Sequence, residues 1–211
     1  MKTDDLIDLL AKDSPPPWRF RSVLTWAVAG GAAVAALLFF AGIGFRPDIA
    51  DAMKHERFLF KFVVTITLAV TAVWTTISLG HPAGRLAQRG PAMAVAPGLL
   101  MVAVLVEMVV LPRDQWAANF VGHNARFCLT LIPLLSIGPL ACLLVALRRG
   151  APSHPGLAGA VAGTAASAIA ATFYAANCDD DSPLFVLAWY PIAILLVAAA
   201  GYLIGRRLLR W

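Results

Sequence analysis

Six apolar stretches, each about as long as a bilayer is thick, alternate with short polar joints along this 211-residue chain. A helix needs about 20 predominantly apolar residues to cross the hydrocarbon core. The pattern predicts spans at 22–45, 58–79, 92–111, 127–147, 157–176 and 184–204. Alternation at every second residue between short turns, the mark of a membrane-spanning barrel, is absent, and backbone groups in lipid must find partners within their own segment. The expected fold is therefore an all-α integral membrane protein, a bundle of six transmembrane helices over residues 19–211. The first apolar run is too long for a removable signal peptide and belongs to a regular series. Residues 1–18 form a separate polar head.

Composition agrees with the pattern: 60% hydrophobic and 14% charged residues lie outside the range of soluble domains. The net charge of +5 acquires meaning from its placement. With the amino terminus inside, one side collects Lys2, Lys12, Arg19, Arg21, Arg85, Arg89, Arg148, Arg149, Arg206, Arg207 and Arg210. The other holds Arg46, Lys54, Arg57, Lys61, Arg113 and Arg126. Lys and Arg accumulate on the cytoplasmic side of membrane proteins, so both termini are expected there. Such basic residues face anionic lipid and call for no nucleic-acid partner.

Within the spans the polar residues read as structural. Gly159, Gly163 and Ser167 recur every fourth residue, a face that lets another helix come close. Thr67, Thr71 and Thr75 repeat at the same spacing. Pro133, Pro139 and Pro191 each remove a backbone donor and should bend their helices. Glu107 is the acidic residue inside a span, near its outer end, and no buried carboxylate pair or internal basic residue offers an ion relay. Catalytic motifs are absent, so the chain is not expected to be an enzyme, to carry a cofactor or to act on a small-molecule substrate.

The cysteines carry the candidate chemistry of the outer side. Cys128 and Cys178 fall at outer ends of spans, whereas Cys142 lies fourteen residues beyond Cys128, about 21 Å away along a helix. Two outward thiols can form a disulfide, which persists in an oxidising compartment. Alternatively Cys128, Cys178, His123 and Asp180 could together hold a thiophilic metal ion transiently. Two buried, inert cysteines remain the plain alternative.

The head reads as a short amphipathic helix. Thr3 is a good cap, Asp4 and Asp5 suit a helix amino terminus, and Leu6, Ile7, Leu9 and Leu10 form an apolar side. Pro15, Pro16 and Pro17 then stop the helix and act as a stiff spacer. A peptide this short orders only against a partner or the membrane, and an inert or weakly ordered tail is the plain alternative. Its four aspartates disfavour anionic lipid and favour a basic protein groove.

The opening Met1 to Ala11, the stretch from Cys128 to Pro139 with Leu147-Arg148-Arg149-Gly150-Ala151-Pro152 after it, and Cys178-Asp179-Asp180-Asp181-Ser182-Pro183-Leu184-Phe185 followed by Trp189-Tyr190 resemble the NrsF family. The resemblance runs essentially end to end. It implies a six-span inner-membrane anti-sigma factor that holds an extracytoplasmic-function sigma factor through its cytoplasmic amino terminus. Thr3, Asp4, Asp5, Leu6, Ile7, Leu9 and Leu10 would make that contact, and Cys128 and Cys178 would sense redox or metal stress outside. Asn177 departs from the histidine expected before the cysteine, which takes a metal donor from that loop. A membrane thiol-quinone oxidoreductase and a small-solute transporter are the competing classes.

Overall fold

The computed structural model describes residues 18–82 and 84–210, so the head helix and the binding residues expected there lie outside the described part. Among the described residues every regular element is helical. They are α1 (Trp18–Gly42), α2 (Ile49–Ala52), α3 (Glu56–Leu79), α4 (Leu86–Arg89), α5 (Val95–Val110), α6 (Trp116–Val121), α7 (Ala125–Leu147), α8 (Pro155–Ala175) and α9 (Pro183–Leu208). Among the described residues six helical stretches are long and apolar enough to cross a membrane, each overlapping one of the expected spans.

Their ends shift for local reasons. α1 stops at Gly42 because Gly44, at φ +75°, turns the chain out of the helix. The third stretch begins at Leu86, since α4 and a 3-10 turn over Gly90–Ala94 run into α5. α9 extends to Leu208, which puts Arg206 and Arg207 in its last turn, where cations meet the negative end of the helix dipole. α7 and α9 run through their internal prolines as single helices.

α8 is the central helix: 72% of its apolar window is buried, against 22% for the first and third stretches. Its alanines and glycines present no bulk, so α9, α3 and α7 all pack directly on it. The α9 side of that contact is a second glycine pair. Gly159 and Gly201 face each other so closely that the carbonyl of each fills the place of a side chain on the other. A Cβ on Gly163 would lie 2.6 Å from the Val197 carbonyl oxygen, and one on Gly205 would lie 2.7 Å from that of Pro155. In the threonine stripe of α3 the Thr71 and Thr75 hydroxyls donate to carbonyls four residues earlier, both at 2.8 Å.

The core is divided lengthwise. One cluster, around Ile132, Tyr174, Phe185 and Tyr190, fills the end that carries the loop at Cys178. The other, around Leu24, Leu79, Leu143, Leu147 and Ala162, fills the end where the chain enters α1 and leaves α9. Charge is divided in the same way. Every described carboxylate lies at or near the first end: Asp48, Asp51, Glu56, Glu107, Asp114 and Asp179 to Asp181. The opposite, arginine end carries Arg21, Arg85, Arg89, Arg148, Arg149, Arg206, Arg207 and Arg210 with no described carboxylate. Exposed Leu37, Val70, Val102, Ile137, Val145 and Leu195 lie between the ends.

Candidate functional site: the seated loop at the carboxylate end

Residues 176–182, between α8 and α9, are gripped by four other parts of the chain. The segment after α1 supplies Arg46, whose backbone N–H donates to the Ala176 carbonyl at 3.2 Å, and Gly44, whose carbonyl accepts from Asn177 Nδ2 at 3.1 Å. α3 supplies Lys61, whose side chain is only 1% exposed. Its Nζ donates to the Cys178 carbonyl at 2.8 Å and meets Asp181 Oδ1 at 2.6 Å. Arg46 bridges Asp48 at 2.7 Å and Asp181 at 3.0 Å. Its guanidinium is held further above its ordinary range by the Asp48 hydrogen bond and by Asp181, and Asp48 in turn is pulled below the usual carboxylate range by Arg46.

Two further carboxylates sit on helix amino termini, where unpaired N–H groups and the dipole favour negative charge. Asp180 Oδ2 accepts the backbone N–H groups of His123 at 2.9 Å and Asn124 at 2.8 Å, just ahead of α7. Gly122 allows this approach: its φ is +60°, and a Cβ there would collide with Phe185 and with Asp180. Glu107, at the end of α5 and 4% exposed, reaches the start of α9. Its Oε2 accepts from Ser182 Oγ at 2.9 Å and from the Leu184 N–H at 3.2 Å, while Arg57 stands 3.4 Å from Oε1. Ser182 caps the same helix, and Pro183 follows at a position whose missing N–H costs nothing.

Beneath the loop lie the two thiols. Cys128 (0% exposed) and Cys178 (1%) are free and share one apolar cluster with Tyr174, Leu184, Phe185 and Tyr190, while Cys142 is a free cysteine outside that cluster. Cys128 and Cys178 thus share one cluster, and Cys142 lies outside it. Burial pushes the Cys178 thiol up, outweighing the pull of nearby Lys61. The protonated thiol is the weaker nucleophile and metal ligand. The four residues considered for a metal do not converge: the His123 side chain is 95% exposed and 3.7 Å from Asp180, above the loop, whereas the thiols lie below it. Among the described residues no three His, Cys, Asp or Glu side chains are grouped to hold a metal ion.

One feature differs from expectation: an internal basic residue does exist, since Lys61 is buried. Glu107 is held between helix and loop. The loop at Cys178 rests on Asn124, just ahead of α7, with both cysteines free. The signal for Lys61 was present in the four basic residues after α1, of which Arg46 and Lys61 meet Asp181 in the acidic run.

Fold and site together define a helical bundle with six stretches long and apolar enough to cross a membrane, whose buried polar groups brace an interhelical loop. The family model described as "Negative regulator of sigma F" (NrsF) matches residues 10–211, and the chain belongs to that family. Along its entire length, and the entire length of each relative, it is 35% identical to the "Anti-sigma-F factor NrsF" of Caulobacter vibrioides and 33% identical to the "Probable anti-sigma-F factor NrsF" of Azospira oryzae. No solved structure matches it.

Proposed function

We propose that this chain is an anti-sigma factor that holds an extracytoplasmic-function sigma factor at the inner membrane through Thr3, Asp4, Asp5, Leu6, Ile7, Leu9 and Leu10. The observation that carries the reading is full-length similarity to proteins named anti-sigma-F factors. The charge division supports its sidedness: an end rich in arginine and free of described carboxylates fits the cytoplasmic face. Both termini then lie inside, where the head can meet a soluble sigma factor. The seated loop faces outward as the element that reads a stimulus.

In this reading Cys128 and Cys178 respond to thiol stress only when the loop lifts, because both thiols are covered. Oxidation of the pair removes two protons and two electrons to an external oxidant and forms one S–S bond. A thiophilic ion instead displaces the two protons. Either product fixes the loop in a changed position, and α8 and α9, which the loop joins, carry the change inward. To alter sigma binding 5- to 150-fold, the two loop states must differ in coupling by about 1 to 3 kcal/mol.

The test is capture of candidate sigma factors by the full chain in detergent, comparing the native protein with Leu6→Asp and Leu10→Asp. The native chain should retain one sigma factor and both variants should lose it. Equal capture by all three contradicts the assignment of the head.

A further inference from the structure

The arginine end has charges in search of partners. Among the described residues every ion pair lies at the carboxylate end. Arg206, Arg207 and Arg210, all exposed at the close of α9, have none. These three arginines line a cleft of about 540 Å³. The cleft shares Ile204 and Leu208 with a second, almost wholly apolar groove of about 620 Å³ between α7 and α9. Pro133, Ile137, Ala141 and Val145 form one wall of that groove, and Leu196 and Ala200 stand on the other.

The dimensions fit one leaflet. On α9 the apolar lining runs from Leu196 to Leu208, about 18 Å at 1.5 Å per residue, somewhat more than half of a hydrocarbon core about 30 Å thick. A hydrophobic slot that begins near mid-membrane and ends at three guanidinium groups with no ion pair among the described residues is complementary to a molecule with an acyl chain and an anionic head. Arginine matches phosphate oxygens two at a time, and basic pockets beside transmembrane helices select anionic headgroups.

We propose that this site binds an anionic phospholipid, with its phosphate on Arg206, Arg207 and Arg210 and one acyl chain along the groove between α7 and α9. The lipid supplies the counter-charge that the described chain lacks at this end, and fastens α9 to α7 at the end where the two helices are joined only by packing. The proposal is independent of the anti-sigma reading.

The experiment is lipid binding to the detergent-purified full chain, followed by native mass spectrometry with phosphatidylglycerol and phosphatidylcholine as probes. The native protein should prefer phosphatidylglycerol. The triple variant R206Q/R207Q/R210Q should lose on the order of 100-fold in apparent affinity for it, and Arg210→Gln alone about fivefold. Ala200→Trp, which fills the groove without touching a charge, should weaken phosphatidylglycerol and phosphatidylcholine together. R85Q/R89Q, at the same end but outside both clefts, should bind as the native chain does. Equal affinity of the native protein for the two lipids overturns the proposal. So does retention of phosphatidylglycerol by the triple variant, or an equal loss in R85Q/R89Q.

Discussion

Asp181→Asn is the sharpest perturbation of the seated loop. It leaves Lys61, 1% exposed, with the carbonyls of Cys178 and Asp180 at 2.8 and 3.4 Å and no counter-charge. Breaking a buried ion pair from one side costs about 3–5 kcal/mol. Asp181 is 21% exposed, so the lower end, about 3 kcal/mol, is expected. For a chain of this size that corresponds to a fall of about 6–12 °C in the unfolding midpoint. Lys61→Met should cost less, about 1–2 kcal/mol, because Asp181 keeps Arg46 at 3.0 Å and only the lysine's own hydrogen bonds are lost. The double variant removes both charges and should be more stable than the two single losses predict, by about 1–2 kcal/mol. Thermal unfolding of the four proteins in one detergent gives the cycle. A fall under about 2 °C for Asp181→Asn, or strict additivity in the double variant, would refute the reasoning.

Other outcomes can be checked by similar means. Gly163→Ala should destabilise by about 1–3 kcal/mol through overpacking against Val197, while Gly98→Ala, with open space around it in α5, should be neutral or stabilising by about 0.5–1 kcal/mol; unfolding midpoints moving together would contradict this. Glu107→Ala strips the α9 start of an acceptor for Ser182 and Leu184 and should cost about 1–3 kcal/mol, with faster amide exchange at residues 182–185 as its local readout. Cys128 and Cys178 should resist a water-soluble maleimide until the protein is denatured; rapid labelling of folded Cys178 at neutral pH would show that the loop is not seated as described. Because burial raises the Cys178 thiol, the folded state holds that proton more tightly than the unfolded chain. Its contribution is complete below the ordinary thiol value of 9.0 and fades as pH rises past it. Cys178→Ser should flatten that alkaline loss of stability.

The six spans were legible because a run of about 20 apolar residues has few other uses, and their ends moved where Gly44 and the turn before Val95 intervened and where α9 ran on to Leu208. The shared location of Cys128 and Cys178 followed from counting spans. The partner of Gly159 and Gly163 did not follow, although Gly201 and Gly205 repeat their spacing, since spacing alone does not say which two helices meet. Lys61 was read as a surface charge for a related reason. Whether a lysine one turn into a helix meets water depends on what lies over it, here a loop about 120 positions later in the chain. The proposed metal set failed to assemble because four residues near one interface can still lie above and below a loop.

The claim on which the account rests is that this chain withdraws a sigma factor from solution to the membrane. The direct measurement is the fraction of that sigma factor sedimenting with membranes from cells that make the native chain, the Leu6→Asp/Leu10→Asp chain at equal abundance, or neither. The account predicts sedimentation with the native chain alone. A sigma factor that stays soluble beside the native chain, or sediments equally with the double variant, would contradict it.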